Sequence, residues 1–194
     1  GDVYKRQVRR MLKKKGLESH YAVRKPLLKV TDRLKRYKWA KQRLHWTVDD
    51  WARVIFSDES NFEVFNRKAR VIVKRFKNKK YHPKFCVPRL QNGGGSVGIW
   101  GCISMQGTGV SKLYTGRINQ YVYKDTLENQ LLPSVELFFD KDDPWIFQQD
   151  GATAHTADSV KEWFKEQNIN VLPWCARSPD LNPIENLWAY LDAK

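Results

Sequence analysis

The chain has 194 residues, of which 41% are hydrophobic and 13% aromatic, a composition that excludes a disordered protein. It holds no run of about 18 apolar residues and no charged-then-apolar leader, so we predict a soluble protein without a membrane partner. The net charge of +14 is uneven, since residues 1–50 carry 16 Lys and Arg against 5 Asp and Glu, whereas residues 51–194 carry 19 against 16.

Residues 1–50 thus form a basic arm on a nearly neutral body, residues 51–194. This charge distribution predicts a polyanionic partner, most simply a nucleic acid. A solvated basic helix that only aids solubility is the alternative. The three cysteines are scattered and form no C-x-x-C pair, which argues against a disulfide framework and a zinc site.

We divide the chain into three segments. Residues 1–7 (GDVYKRQ) have no pattern that joins them to the residues after them, and we interpret them as a possible non-native scar. Residues 8–46 form a basic helical segment, and residues 47–194 form the main domain. The chain begins without Met and stops nine residues past Glu185, so we expect a fragment that is incomplete at both ends.

Two basic helices are predicted in the arm, over residues 8–15 and 30–44, and Gly16 ends the first. The second has apolar residues at helical spacing. These are Val30, Leu34, Tyr37, Ala40 and Leu44. Short basic helices joined by a turn suit a helix-turn-helix-like unit or a linker to one.

The main domain is predicted to be α/β with an antiparallel start, because strands come first and helices then alternate with strands. The predicted strands are 53–57, 62–65, 97–104, 112–114, 145–149 and 169–172. The predicted helices are 120–139, which Asn119 caps, and 157–168.

A second basic segment, residues 67–84, holds nine Lys and Arg and no acid. It suits a hairpin or loop lying against phosphates, and an ordinary exposed hairpin is the alternative. The candidate DNA-binding residues of the two basic regions are Arg9, Arg10, Lys13, Lys14, Lys15, Arg24, Lys25, Lys74, Arg75 and Lys77.

The stretch RSPDLNPIENLW places one acid, Glu185, directly after a turn that contains two prolines. Asn182 is a good helix N-cap and Pro183 suits the first helical position, so Glu185 falls at the third. One interpretation is a capping box, in which Glu185 bonds back to its own helix end. The other is a carboxylate that the rigid turn aims at a partner outside the helix.

Two further acids share a context, since Asp58 follows the apolar run VIFS and Asp150 follows WIFQQ. Open α/β sheets place ligands at the carboxyl ends of strands, although a cap or turn role is the alternative for each acid. Three carboxylates that meet there would hold two divalent cations, Mg²⁺ or Mn²⁺. Two such ions activate a water or a 3′-hydroxyl and stabilise the leaving oxygen of a phosphodiester.

Four motifs in order resemble the transposases of the mariner superfamily, in the Tc branch whose third carboxylate is Glu. They are VIFSDESNF, GGGSVGIWGCIS, WIFQQDGATAHTA and SPDLNPIENLW, and 34 residues separate Asp150 from Glu185. The match runs from about residue 8 to residue 194.

This resemblance implies an RNase H-like domain over residues 47–194, with a mixed sheet flanked by helices. It implies an Asp58, Asp150 and Glu185 triad that binds two Mg²⁺ or Mn²⁺ ions. It also implies cleavage at transposon terminal repeats, strand transfer into TA target DNA, a homodimer and a nuclear location. Residues 8–45 resemble the end of a second helix-turn-helix unit and its linker.

Two alternatives to this activity stay open, a catalytically inactive or domesticated DNA-binding relic and a general RNase H-like nuclease. His155 has two alternatives as well. It either lies near the scissile phosphate as an auxiliary residue or braces the turn after Asp150. Glu59 is expected to be structural, because neighbouring strand residues face opposite sides of a sheet.

Overall fold

The computed structural model describes residues 2–17, 28–63, 82 and 95–192. Its elements are, in chain order, α1 (Asp2–Lys14), α2 (Val30–Gln42), α3 (Val48–Ala52), β1 (Val54–Glu63), β2 (Ser96–Ser104), β3 (Gly107–Thr108), β4 (Lys112–Tyr114), α4 (Gln120–Thr126), α5 (Leu132–Phe138), β5 (Ile146–Gln148), α6 (Asp158–Glu166) and α7 (Ile184–Asp192). A π-helical turn, Leu127–Leu131, joins α4 to α5, so the predicted helix 120–139 is continuous with a local bulge.

The sheet has an antiparallel start and a parallel continuation, as the sequence predicted. The strand order is β3-β2-β1-β5, with β4 pairing β2 beside β3. β2 runs antiparallel to β1, and β5 runs parallel to it. The strand predicted at 169–172 is reduced to one bridge, between Phe147 and Val171, because the chain touches the edge of β5 only briefly.

The first strand differs from its prediction. Instead of two strands at 53–57 and 62–65, one strand runs from Val54 to Glu63, and residues 64 and 65 lie outside the described residues. The polar DESN stretch lacks a strand-like apolar pattern, yet its backbone pairs with β2 from Asp58↔Gly101 to Glu63↔Ser96. A ladder of backbone hydrogen bonds does not require apolar side chains. Asp58 therefore lies within the strand and not past its end.

Alternation along β1 divides the core into two clusters on opposite faces of the sheet. Ile55 packs in a large cluster with Trp100, Tyr123 and Phe147, to which α4, α5 and α6 contribute. Val54, Phe56 and Leu172 pack in a smaller one, against the indoles of Trp39, Trp46, Trp51 and Trp174. Asp58 follows Val54 and Phe56 on the second face, and α7 packs against β1 there.

Helix α2 forms as predicted but contacts the body through an unexpected face. Of the apolar residues at helical spacing, Val30, Leu34, Tyr37 and Leu44 are exposed. The contacts to the segment 173–180 come instead from Asp32, Arg36, Trp39 and Arg43. The apolar pattern of the sequence shows only which residues share one face of the helix. The indole of Trp39 has more apolar surface than those residues and also a hydrogen-bond donor, so the face that carries it contacts the body.

Helix α1 is solvent-exposed at every residue whose burial is described, and it already begins at Asp2. Residues 2–7 therefore share a helix with residues 8–14. The segment boundaries predicted after residue 7 and after residue 46 stay predictions. Within the described ranges, none of the helices has both the length and the apolar content needed to cross a membrane.

Candidate active site

Asp58 is the fifth residue of β1 and is partly buried on the α7 face. One of its oxygens, Oδ2, accepts a hydrogen bond of 3.0 Å from the indole Nε1 of Trp188. Across the sheet, Asp58 is paired with Gly101 of β2. The strand therefore fixes the backbone of this acid, and a residue of α7 fixes its carboxylate.

Asp150 lies two residues past the end of β5, which runs beside β1 in the same direction. Its Oδ1 accepts a hydrogen bond of 3.0 Å from the backbone N–H of Ala152, an arrangement typical of an Asx turn. The side chain is 52% exposed, so the carboxylate is both held by the turn and open to solvent.

Glu185 is the second residue of α7 and is partly buried. Asn182 caps the helix, since its Oδ1 accepts from the N–H of Ile184 at 3.4 Å. The N–H of Asn182 donates to the carbonyl of Pro179, so it is not available to Glu185 as a capping box requires. The buried Nδ2 of Asn182 donates to the carbonyl of Ser57 at 3.0 Å. Asn182 thus joins the start of α7 to the residue before Asp58.

These three acids line one cavity of about 300 Å³. Its other lining residues are Gly151, Ala152, Trp174, Ala176, Arg177, Ser178, Pro179 and Asn182. A larger, more open groove of about 510 Å³ lies beside α6, but no carboxylate lines it. The convergence of three acids from three separate elements makes the smaller cavity the candidate active site.

The charges in the cavity act on one another. Burial, followed by the charges of Glu185 and Glu59, raises the pKa of Asp58 to about 7. Burial also raises the pKa of Glu185. Contact with His155 instead holds the pKa of Asp150 below its usual range. Without a cation, the cavity therefore disfavours the charged forms of Asp58 and Glu185 and favours the charged form of Asp150.

His155 lies beneath Asp150 in a buried contact that also involves Glu59. Its Nδ1 lies 2.6 Å from Asp150 Oδ1, and its Nε2 lies 3.1 Å from Glu59 Oε1. Both distances are those of an ion pair between a protonated imidazole and a carboxylate. Burial lowers the pKa of His155, but the two carboxylates outweigh burial and raise it to about 9. The ring stacks on Tyr123 with 3.9 Å between centroids.

His155 thus contacts the carboxylate of Asp150 and the turn that carries it, and its auxiliary role near the scissile phosphate stays a prediction. Glu59 faces away from Asp58, as strand alternation predicts, and joins the underside of β1 to the turn that carries Asp150.

The residues fit a hard divalent cation by their chemistry. Three carboxylates with mutual repulsion offer the oxygen ligands that Mg²⁺ and Mn²⁺ prefer, and a cation would relieve that repulsion. Within the described part of the chain, no three His, Cys, Asp or Glu side chains are grouped closely enough to count as a preassembled metal site.

Half of the candidate DNA-binding residues lie in or directly after α1, where they are exposed. These are Arg9, Arg10, Lys13, Lys14 and Lys15. The other five, Arg24, Lys25, Lys74, Arg75 and Lys77, lie outside the described residues. The sequence analysis also assigned no site role to Arg177, which lines the cavity with a left-handed backbone (φ 58°).

A family model described as "DDE superfamily endonuclease" matches residues 53–194. The Tcb1 transposase of Caenorhabditis briggsae is 39% identical over 190 residues, which cover 98% of this chain and 69% of that protein. The Tc1 transposase of Caenorhabditis elegans is 35% identical over 190 residues, with the same coverage of both chains.

Solved structures share the fold. The Mos1 mariner paired-end complex with Mn superposes with a TM-score of 0.75 at 21% identity, over 96% of this chain and 56% of that one. The catalytic domain of Mos1 mariner transposase gives 0.67 at 19% identity, over 88% and 74%. The predicted RNase H-like fold is thereby confirmed, with the N-terminal helices added to it. The chain belongs to the Tc1/mariner family of DDE transposases, in the branch of the Tc1 and Tcb elements.

Proposed function

We propose that this chain cleaves DNA at the ends of a transposable element and transfers the freed 3′ end into TA target DNA. The observation that carries the proposal is the convergence of Asp58, Asp150 and Glu185 on one cavity. These residues come from a strand, a turn and a helix that are far apart in sequence, and no structural need of the sheet requires three acids at one place.

In this proposal the three carboxylates hold two Mg²⁺ or Mn²⁺ ions. When bound, such ions lower the pKa of an attacking water or 3′-hydroxyl and stabilise the leaving oxygen of the phosphodiester. The residues of the chain set the geometry. Trp188 and the β1 backbone hold Asp58, the Ala152 turn and His155 hold Asp150, and Asn182 sets the start of the helix that carries Glu185.

The basic residues of α1 and of segment 67–84 are proposed to contact the phosphates of the terminal repeats. A related structure is a paired-end complex with a left transposon end, and another is a strand transfer complex. From these relatives we propose that this chain also acts on paired transposon ends as a homodimer. We also propose a nuclear location, because the DNA of the host lies in the nucleus.

The test is cleavage of a duplex that carries the terminal inverted repeat flanking the chain's own gene, in the presence of Mn²⁺. We expect the wild type to nick at the repeat end, and we expect Asp150→Asn to bind the duplex but to cut at least ~100-fold more slowly. Asp158→Asn is the matched control, because this acid is 96% exposed on α6 and does not line the cavity.

If Asp150→Asn cuts as fast as the wild type, the carboxylate mechanism is wrong. If both proteins bind the repeat and neither cuts, the chain is a DNA-binding relic that has kept its acids without activity.

A further inference from the structure

We propose that Trp188 is a positioning residue for Asp58, whose indole N–H holds the carboxylate in the orientation that receives a divalent cation. The inference rests on the proposed cation-binding role of Asp58. Its basis is a contact across two elements. The indole Nε1 on α7 donates to Oδ2 of Asp58 on β1 at 3.0 Å, and Trp188 is only 7% exposed.

Trp188 follows Glu185 by three positions on α7, so the two side chains lie on the same face of the helix. One helix face thus contributes both an acid of the cavity and the hydrogen-bond donor to a second acid. Because the start of α7 is joined to the Ser57 carbonyl by Asn182, the register between α7 and β1 is fixed next to Asp58. The contact between Trp188 and Asp58 is therefore a consequence of how the helix docks.

Packing leaves the indole little freedom to turn away. Gly101, the β2 partner of Asp58, provides the space for the ring, since a Cβ there would lie 3.0 Å from Cη2 of Trp188. Phe62 also contacts the indole edge to face, with ring centroids 6.2 Å apart and an angle of 70°. The glycine and the phenyl ring together orient the N–H toward the carboxylate.

A tryptophan that only fills the core does not need its N–H to meet an acid of the cavity. Trp100 in β2 shows the difference, since it is fully buried and its Nε1 has no hydrogen-bond partner. An indole N–H is a donor only and does not compete with a carboxylate as a cation ligand. The donated hydrogen bond to Oδ2 restricts rotation of the Asp58 carboxylate.

The experiment compares Mn²⁺ binding, by electron paramagnetic resonance of free Mn²⁺, for the wild type, Trp188→Phe and Trp100→Phe. Both substitutions remove one indole N–H from a buried site. We expect Trp188→Phe to bind Mn²⁺ about 10- to 100-fold more weakly, as when a partner of a metal ligand is lost. We expect Trp100→Phe to bind as the wild type does, although thermal unfolding without metal will show that both variants lose stability.

Gly101→Ala provides a second variant, which keeps the indole and displaces it by the added methyl group. It is expected to weaken Mn²⁺ binding in the same direction, so the inference can be judged even if Trp188→Phe does not fold. Equal Mn²⁺ affinity of the wild type and a folded Trp188→Phe or Gly101→Ala would overturn the positioning role of Trp188 and leave the proposed function standing. Failure of the wild type to bind Mn²⁺ any better than Asp58→Asn would overturn the proposed function as well.

Discussion

The acids of the cavity have opposite effects on the stability of the folded chain. Asp58 is held by one indole N–H but lies near the charges of Glu185 and Glu59, and its pKa rises to about 7 from an ordinary 3.8. Asp150 is stabilised in its charged form by His155. Ionisation of Asp58 thus costs folding free energy, whereas ionisation of Asp150 contributes to it, and the proposed function requires both.

The pH dependence of stability should reveal this difference. Between about pH 4 and pH 7 the folded state keeps the proton on Asp58 that the unfolded chain has released. The contribution of Asp58 to the free energy of unfolding therefore falls as the pH rises to about 7 and stays constant above it. In EDTA at pH 8 we expect Asp58→Asn to be more stable than the wild type, and near pH 4 we expect the difference to vanish.

Asp150→Asn is the matched comparison, with the opposite expected sign. It removes the charge 2.6 Å from His155, whose pKa is about 9, so it should destabilise the fold at pH 8. Urea denaturation at both pH values measures these changes. A decrease in stability at pH 8 for both variants would show that the charge of Asp58 is not a cost to the folded state.

At the scale of elements, helix α2 contacts the segment 173–180, which includes several residues of the cavity wall. The guanidinium of Arg36 forms two hydrogen bonds with the carboxylate of Asp180, at 2.8 and 2.6 Å. The Trp39 indole donates to the carbonyl of Pro173 at 2.5 Å and packs edge to face on Trp174. The basic arm is therefore structurally joined to the turn that precedes Glu185.

We expect Arg36→Ala to weaken the docking of α2 by about 1 kcal/mol, because a partly exposed ion pair with two hydrogen bonds contributes that much stability. Hydrogen exchange of the α2 amides, followed by mass spectrometry, should then be about fivefold faster. Arg33→Ala, an exposed residue of the same helix, should leave the exchange unchanged. Equal protection in Arg36→Ala and the wild type would mean that the other contacts of α2, from Asp32, Trp39 and Arg43, hold the helix without this ion pair.

At the scale of the whole molecule, the positive charge and the acids of the cavity lie in different parts of the chain. Residues 1–50 carry most of the excess positive charge, and the cavity lies between β1, the end of β5 and α7. This separation suits a protein that binds the DNA backbone with one region and cuts it with another.

Replacing Lys13, Lys14 and Lys15 by Ser should weaken binding to duplex DNA of any sequence. The slope of log affinity against log salt should also become shallower, by about 1 for each lysine that contacts a phosphate. The control replaces Lys124, Lys141 and Lys165 of the main domain, which removes the same charge. If both triple variants lose affinity equally, net charge and not the basic arm determines binding.

The sequence by itself predicted the family, through the resemblance of its four motifs, and most of the elements, because an element depends largely on local chemistry. Apolar periodicity marked α2 and α6, the Asn119 cap marked the start of α4, and a turn with two prolines marked the start of α7. Sequence patterns did not show that β1 continues through DESN, since that depends on a backbone ladder with a distant strand.

Tertiary structure alone decided how the acids are held. The capping box at Glu185 was locally possible, but the Pro179 carbonyl takes the N–H that it needs, and Asn182 uses its amide to bond Ser57, 125 residues away. Trp188 meets Asp58 across 130 residues, and His155 meets Glu59 on the far side of β1. Such partners are brought together only when helices dock on the sheet, because local sequence carries no information about which distant backbone or side chain will be the neighbour.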